Sequence, residues 1–278
     1  MVDLTDPASL RAFLDRHGLT AHKALGQHFL CSARVVAAIT ERLSHCKGVL
    51  EIGPGPGVIT TRLTDFADKA IAIELDDRMI AALSESAPGV DVRKADALKA
   101  NLPELLEDLP TPRGLVSNLP YYITGPLLTV IAEASEHYDV AVLMMQKEVA
   151  DRVLAPAKTS ERGSLSVYLQ AQFNIQKVCS APAGAFLPPP KVDSTVLEFK
   201  PKRFDIQGKN GFFRMIRVGF ARPRKTMVNN LVIGYSISRE MALAWLEKAG
   251  LGEKARPQEL EMKEWENLWT VISAEQAS

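Results

Sequence analysis

The stretch Glu51-Ile52-Gly53-Pro54-Gly55-Pro56-Gly57-Val58-Ile59-Thr60 decides the fold of this 278-residue chain. The apolar run 48–52 leads into the three glycines and a segment with helical character follows, so the glycines fall on a strand-to-helix turn. Glycine has no Cβ and accepts positive φ, so such a turn brings bare backbone close to a ligand. Taken alone, the pattern also fits a tight turn that binds nothing.

Polar residues recur downstream at a regular spacing, which favours a ligand-binding turn over a turn that binds nothing. Glu74, Asp96 and Asn118 follow Gly53 at nearly equal intervals, each at the end of a short strand-like run. The interval matches the length of one strand, one helix and two turns in a βαβ unit. The spacing predicts four successive strands that deliver one such residue each to the same carboxyl edge of a parallel sheet, where ligands bind.

The residue types at this edge predict a nucleoside ligand. A carboxylate at Glu74 suits both ribose hydroxyls, and Asp96 suits an adenine amino group. A dinucleotide site would read Gly-x-Gly-x-x-Gly and donate N–H groups to a pyrophosphate. Here prolines, which lack an N–H, fill both gaps between the glycines. S-adenosylmethionine is therefore the predicted cofactor, and a nicotinamide dehydrogenase is disfavoured.

Seven separated motifs, in order, resemble those of the class I S-adenosylmethionine-dependent methyltransferases and, more closely, the ribosomal RNA adenine N6-dimethyltransferases of the bacterial small subunit. They are Leu25-Gly26-Gln27-His28-Phe29-Leu30, Glu51 to Gly57, Ile73-Glu74-Leu75-Asp76, Asp96, Asn118-Leu119-Pro120-Tyr121, Gln146-Lys147-Glu148 and Phe186-Leu187-Pro188-Pro189-Pro190-Lys191-Val192-Asp193-Ser194. The resemblance covers about residues 22–231. The family often has asparagine at position 28 and usually at position 122, where this chain has His28 and Tyr122.

The resemblance implies a fold, a reaction and a set of site residues. The fold is α/β: a Rossmann-like seven-stranded sheet in a cofactor-binding catalytic domain, 1–200, followed by a small all-helical RNA-binding domain, 201–278. The reaction is dimethylation of N6 on two adjacent adenosines in the 3′-terminal hairpin of 16S rRNA, within precursors of the small ribosomal subunit, with a role in its biogenesis. The residues expected to bind the cofactor are His28, Leu30, Gly53, Gly55, Glu74, Asp96 and Asn118.

Asn118-Leu119-Pro120-Tyr121 is the predicted catalytic motif. An adenine amine is a poor nucleophile because its lone pair is delocalised into the ring. Two acceptors aimed at its hydrogens, the Asn118 side-chain oxygen and the Leu119 carbonyl, would favour a pyramidal nitrogen. Pro120 restricts the residue before it to extended backbone, and Tyr121 offers a stacking face for a flipped base. By resemblance, Phe186 would cover the opposite face of that base; the sequence alone is equally compatible with a Phe186 that fills the core.

Charge is segregated along the chain, although the net charge is zero. Residues 200–230 carry nine Lys or Arg against one Asp, a local net of +8, while 1–199 carry −5 and 239–278 carry −3. Such a focus predicts a polyanion-facing patch. The candidate RNA-binding residues are Arg217, Arg222, Arg224 and Lys225.

Composition excludes several other classes of protein. The chain is 46 % hydrophobic and 24 % charged, has three cysteines without ligand-like spacing, and has no apolar run long enough for a membrane span. The acidic N-terminal segment lacks the apolar core of a secretion signal. We therefore expect a cytoplasmic monomer with reduced thiols, no metal site and no membrane partner.

Two other methyltransferase readings stay open at this point, a large-subunit rRNA enzyme and a DNA adenine enzyme, as does a mainly non-catalytic ribosome assembly factor. The coarse secondary-structure pattern also predicts a helix over 58–66, a solvent-facing loop over 156–163 with Lys158 and Arg162, and a strand with its lead-in over 165–179.

Overall fold

The computed structural model describes residues 3–19, 27–203 and 205–277, and the first two residues of the motif Leu25 to Leu30 lie outside these ranges. The chain forms two compact units, one of residues 1–150 and 174–201 and the other of residues 151–173 and 202–278. The sequence places the boundary at 200/201 and keeps 151–173 in the first domain. That assignment remains a prediction.

The first unit contains a seven-stranded sheet, which confirms the predicted fold class. Its strands are β2 (Gly48–Ile52), β3 (Lys69–Glu74), β4 (Asp91–Lys94), β5 (Arg113–Asn118), β6 (Val140–Gln146), β7 (Phe173–Ala181) and β9 (Ser194–Pro201). The order across the sheet is β4-β3-β2-β5-β6-β9-β7. The five neighbouring strands β4, β3, β2, β5 and β6 run parallel to one another, and β9 runs antiparallel to β6. Because β2 to β5 are parallel neighbours, their carboxyl ends share one edge.

The helices of this unit are α1 (Pro7–Arg16), α2 (Ala33–Leu43), α3 (Thr60–Leu63), α4 (Asp77–Ser86), α5 (Leu102–Glu107), α6 (Thr124–Glu133) and α7 (Lys147–Leu154), the last of which continues into the second unit. Asp6 caps α1 by accepting a hydrogen bond from the Ser9 amide at 2.8 Å, and Pro7 occupies its first turn. Asp76 caps α4 in a similar way, by accepting from the Arg78 amide.

A second, two-stranded sheet pairs β1 (Phe29–Leu30) with β8 (Phe186–Leu187) in antiparallel orientation. The Cys31 amide continues this pairing with a 2.7 Å hydrogen bond to the Ala185 carbonyl. This ribbon was not predicted from the sequence. It joins the segment before the first strand of the large sheet to the polyproline loop.

The second unit is helical: α8 (Ser164–Gln172), α9 (Lys209–Gly219), α10 (Met227–Tyr235), α11 (Arg239–Lys248) and α12 (Met262–Ala277). Its core is built on large aromatic and aliphatic side chains, among them the fully buried Trp265 and Phe212. Two sequence-based predictions were wrong in detail: helix α3 is much shorter than 58–66, and Arg162 is only 5 % exposed. The strand expected within 165–179 is present as β7, and the segment that leads into it, residues 164–172, is a helix.

The buried Arg162 holds its loop in place in the second unit through hydrogen bonds. Its guanidinium donates to the Ala155 carbonyl and to the Gln170 side chain, both at 2.7 Å. Burial lowers the pKa of Arg162, while the nearby Glu261 opposes that shift. No helix in the described part of the chain has the length and apolar character needed to cross a membrane.

Candidate functional site

A cavity of about 340 Å³ opens at the carboxyl edge of β2 to β5. Its lining includes Gly53, Glu74, Asp96 and Asn118, the four residues that the sequence spacing predicted to meet. Their convergence follows from topology, because each one ends a strand of the same parallel set or follows it by one or two residues. The geometric prediction is therefore confirmed, whereas the role of each residue remains a prediction.

The glycine-rich turn needs its glycines for conformation. Gly53, Gly55 and Gly57 all have positive φ, at +68°, +55° and +97°. A Cβ on Gly57 would lie 2.7 Å from the Ser86 hydroxyl, and one on Gly55 would lie 3.3 Å from the Phe29 ring. A Cβ on Gly53 would meet nothing within 4 Å. Gly57 and Gly55 thus allow close packing inside the protein, while Gly53 leaves open space at the cavity wall.

The amides of this turn are already engaged by the protein. Gly53 donates to the Ile73 carbonyl at 3.0 Å, Gly55 to Glu74 Oε2 at 3.2 Å, and Gly57 to the Pro54 carbonyl at 3.1 Å. The two prolines have no N–H to offer. Across 53–57 the backbone therefore presents no spare donor for a pyrophosphate, which favours a ligand without phosphates.

The carboxylate of Glu74 is held in place by backbone amides. Oε1 accepts from Leu75 at 2.7 Å and from Asp76 at 3.0 Å, and Oε2 accepts from Gly55. A carboxylate has about four acceptor directions, so capacity remains for a ribose hydroxyl. Asp96, on the next strand, accepts from the Leu98 amide at 3.0 Å. Both carboxylates are oriented before any ligand arrives.

Asn118 is oriented by the segment that precedes the sheet. Its Nδ2 donates to the His28 carbonyl at 3.3 Å, and no residue in the described ranges donates to its Oδ1. The Leu119 amide extends the sheet ladder by bonding the Met144 carbonyl at 2.9 Å. The turn after it is closed by the Thr124 hydroxyl, which donates to the Pro120 carbonyl at 3.0 Å. The motif is therefore rigid at both ends, with one side-chain acceptor available.

An aromatic pair lines the same cavity as Asn118. The His28 ring stacks on Tyr121, with centroids 5.6 Å apart and planes at 29°, and His28 Nδ1 lies 2.7 Å from the Pro188 carbonyl. The Tyr121 hydroxyl pairs with Ser194 at 3.0 Å. Burial raises the pKa of Tyr121, an effect that this hydrogen bond partly offsets. The phenol therefore stays neutral near pH 7 and presents a ring for stacking.

The structure places Leu30 and Phe186, the two apolar side chains predicted to contact ligands, in different surroundings. Leu30 lines the cavity, whereas Phe186 does not. Phe186 pairs with Leu30 across the β1–β8 ribbon, and its side chain is 3 % exposed within the core of the first unit. The expected contact of Phe186 with a bound base remains a prediction. The ladder turns its ring into the core, where it anchors the ribbon.

Sequence reasoning gave no role to several residues that line the cavity, notably Glu51, Leu75 and Tyr122. Leu75 and Tyr122 are 57 % and 60 % exposed, unusual values for large side chains. Glu51 is the opposite case, a carboxyl that is 2 % exposed. The sequence did contain a signal for Glu51. It is an acid inside an apolar strand at the start of the glycine motif, and a buried acid requires a partner.

The four candidate RNA-binding residues all lie in the helical unit. Arg217 is on α9, and Arg222, Arg224 and Lys225 are in the connection to α10. All four are exposed. Within the described ranges their side chains make no ion pair or hydrogen bond. Their charges are therefore available to an external polyanion.

Comparison with known proteins identifies the family of this chain. The model of the family described as ribosomal RNA adenine dimethylase matches residues 18–273. The chain belongs to the ribosomal RNA adenine dimethylase family. The chain is 38 % identical to a ribosomal RNA small subunit methyltransferase A of Dehalococcoides mccartyi, over 96 % of this chain and 93 % of that protein. It is 34 % identical to the protein of the same name from Macrococcus caseolyticus, over 96 % and 95 %.

Solved structures of this dimethylase type have the same fold. A dimethyladenosine transferase from Plasmodium falciparum superposes with a TM-score of 0.76 at 26 % identity, covering 90 % of this chain and 98 % of that one. The 23S rRNA methyltransferase ErmE gives 0.66 at 26 % identity, covering 88 % and 99 %. Members of the family use S-adenosylmethionine as methyl donor, and this chain is an S-adenosylmethionine-dependent rRNA adenine dimethyltransferase.

The cavity fits that cofactor on three structural grounds. The glycine turn has no spare amide for phosphate, Gly53 leaves a space that a Cβ would fill, and the buried Glu51 Oε2 has no partner within the described residues. A phosphate-free nucleoside that carries positive charge meets all three conditions.

Proposed function

We propose that this dimethylase methylates N6 of two adjacent adenosines in the 3′-terminal hairpin of small-subunit rRNA, acting as a cytoplasmic monomer on precursors of the small ribosomal subunit. The observation that carries the proposal is the available Oδ1 of Asn118, at the end of β5 and in the same cavity as Tyr121. Support for the small subunit comes from the relatives of that name, at 34–38 % identity over nearly the full chain.

The cofactor would be held along the strand edge. Glu74 would accept from the ribose, Asp96 from the adenine amine, and the open wall at Gly53 would take the methionine half, with Leu30 and His28 on the side of the β1–β8 ribbon. S-adenosylmethionine supplies an electrophilic methyl group on a sulfonium sulfur. Because Glu74 is already oriented by three amides, little ordering is required on binding.

Asn118 would activate the target amine. With Nδ2 held by the His28 carbonyl, Oδ1 would accept from one N6 hydrogen, and the Leu119 carbonyl would accept from the other. Two acceptors favour a pyramidal nitrogen whose lone pair points at the methyl group. No strong base is required, because the cationic amine formed on transfer loses its proton readily. The site would act through positioning and electrostatic complementarity.

The target adenine must leave its helix to reach this pocket. The Tyr121 ring would stack on it, and its position is fixed by the hydrogen bond to Ser194. The exposed cations Arg217, Arg222, Arg224 and Lys225 would neutralise RNA phosphates without reading sequence.

The test is an Asn118→Ala variant assayed for methyl transfer to small-subunit particles, large-subunit RNA and duplex DNA. We expect wild-type protein to methylate the particles, and the variant to lose at least 100-fold in rate, about 2.7 kcal/mol, while still binding S-adenosylhomocysteine. Asn174→Ala, on an exposed position of β7, is the matched control and should retain full activity.

Three results would contradict the proposal. Undiminished methylation by Asn118→Ala would remove the catalytic role of Asn118. Preferential methylation of large-subunit RNA or DNA by the wild type would remove the small-subunit assignment. Particle binding by wild-type protein without any methyl transfer would favour a non-catalytic assembly factor.

A further inference from the structure

Tyr122 is a large aromatic residue at the cavity to which the proposed function gives no role. It lines the cavity together with Asn118 and Tyr121, yet it is 60 % exposed. A single exposed apolar side chain is common on a protein surface, so its exposure alone decides nothing. The position of Tyr122, the turn that carries it and the direction of its ring carry the argument.

The backbone around Tyr122 is fixed by hydrogen bonds. Pro120 precedes a single 3-10 turn, Tyr121–Ile123, which leads directly into α6. The Ile123 amide donates to the Pro120 carbonyl at 3.2 Å. The Thr124 hydroxyl donates to the Pro120 carbonyl at 3.0 Å and to the Tyr121 carbonyl at 3.3 Å. The exposed ring of Tyr122 is therefore mounted on a defined turn, so that little ordering of the backbone is required when a ligand covers it.

Tyr121 and Tyr122 present their rings in different directions. A 3-10 helix has three residues per turn, so consecutive side chains point about 120° apart. The Tyr121 ring is held toward β9 by the 3.0 Å hydrogen bond between its hydroxyl and Ser194, and the His28 ring stacks on it. Tyr121 thus has one face left, which accommodates one base. The Tyr122 ring, turned away from it, is available to a different base.

The order of the strands places Tyr122 on the RNA side of the cavity. Glu74 ends β3 and Asp96 follows β4, and the proposed cofactor lies along these strands. Asn118 ends β5, on the other side of β2, and Tyr122 follows it by four residues. Leu75, another exposed apolar residue of the cavity, directly follows Glu74 and belongs to the cofactor side. Tyr122 is therefore on the side proposed for the target adenine.

Flipping a base out of a stack also exposes the base next to it. The neighbour loses one of its two stacking partners when the target leaves. An aromatic side chain replaces such a partner, and it does so for any base because every base has a π-face.

We propose that Tyr122 is a second nucleobase-stacking site, which holds the base of the nucleotide adjacent to the target adenosine. Tyr121 and Tyr122 then grip two successive bases on one rigid turn. Because the two proposed targets are adjacent, one adenine stacks on Tyr122 while the other is being methylated. This inference rests on the proposed function, which brings a flipped adenine to Asn118.

The test is a double-mutant cycle between the protein and an RNA. The probe is a fluorescein-labelled RNA hairpin whose loop holds one adenosine between two guanosines, so that a single target fixes the register. Two further hairpins carry an abasic residue in place of the 5′ or the 3′ guanosine. Fluorescence anisotropy measures the affinity of the full chain for each hairpin in the presence of saturating S-adenosylhomocysteine.

Wild-type protein should bind one of the two abasic hairpins about 5- to 150-fold more weakly than the intact hairpin, the range for one stacked base. Tyr122→Ala should bind the intact hairpin more weakly by the same factor, and it should lose nothing further when that base is removed. Tyr122→Phe keeps the ring and should behave as the wild type. Loss of structure alone would weaken all three hairpins equally and would not produce this coupling.

Met241→Ala is the matched control. Met241 is 47 % exposed, lies on α11 in the helical unit and does not line the cavity. Its affinities for the three hairpins should equal those of the wild type. Tyr122→Leu keeps an apolar side chain without a ring and gives the same test if Tyr122→Ala fails to fold.

Three results would overturn the inference. Wild-type protein that binds the intact hairpin no more tightly than either abasic hairpin has no site for a neighbouring base. Additive losses in Tyr122→Ala would show that the base and the ring do not meet. Weakened binding of S-adenosylhomocysteine by Tyr122→Ala would place the ring on the cofactor side. None of these measurements involves methyl transfer, so the proposed function, tested through Asn118 and the identity of the methylated RNA, stands or falls separately.

Discussion

Replacing Gly53 by alanine tests whether the cofactor occupies the open wall of the cavity. At φ +68° an alanine costs about 1–2 kcal/mol of backbone strain, partly offset by about 0.4–1 kcal/mol from the stiffer unfolded chain. No protein atom lies within 4 Å of the new Cβ, so no packing clash adds to this. We therefore expect Gly53→Ala to lose about 1 kcal/mol of unfolding free energy and to bind S-adenosylhomocysteine at least tenfold more weakly.

Gly250→Ala is the matched control for this experiment. Gly250 has φ +76°, also has nothing within 4 Å of an added Cβ, and lies in the helical unit. Urea unfolding should show the same small loss for both variants, whereas calorimetric titration should show weakened cofactor binding for Gly53→Ala alone. Equal cofactor affinity in the two variants would refute the argument that backbone approaches the ligand at Gly53.

Three further predictions concern the pH dependence of stability, the ring of Tyr121 and the exposed basic residues. In the unfolded chain Glu51 loses its proton near its ordinary pKa of 4.5, whereas in the folded chain its pKa is raised to about 8. The free energy of unfolding should therefore fall as the pH rises from about 4.5 to about 8. Glu51→Gln should remove about 3 kcal/mol of that fall between pH 5 and pH 8 in urea unfolding; identical pH profiles would contradict the burial argument. Tyr121→Phe keeps the ring and should retain most activity, whereas Tyr121→Ala should weaken RNA binding by about 1–3 kcal/mol; equal effects would point to the hydroxyl. Arg224→Ala should lower the salt slope of RNA binding by about 1, and the exposed Lys254→Ala should leave it unchanged; equal slopes would exclude a phosphate contact at Arg224.

The large sheet and its ligand edge could be predicted because each strand end carries its own local signal. The near-equal spacing of Glu74, Asp96 and Asn118 reflects the length of one strand plus one helix. Parallel neighbours then bring such residues together without any knowledge of side-chain packing. The capping role of Asp76 was predictable for the same reason, since it depends only on the adjacent turn.

Features that depend on distant partners could not be predicted in this way. Strands β1 and β8 have two residues each, too few for an alternation to be visible, so the side to which Phe186 points stayed undetermined. Arg162 is buried because the Ala155 carbonyl and the Gln170 side chain meet its guanidinium, and the sequence gives no sign of that meeting. Helix α8 buries a mixture of residues, including Ser166 and Gln172, instead of one apolar stripe.

The ribbon between β1 and β8 also has a consequence for how the enzyme is made. It joins segments that are far apart in the chain, since His28 Nδ1 reaches the Pro188 carbonyl and Cys31 reaches Ala185. Contacts of such long range form late in folding. On the translating ribosome, a nascent chain that has emerged only as far as β6 has its glycine turn, Glu74 and Asn118, but not the strand that fixes the segment around His28. The newly made chain thus completes the wall of this cavity only after most of its length has left the exit tunnel.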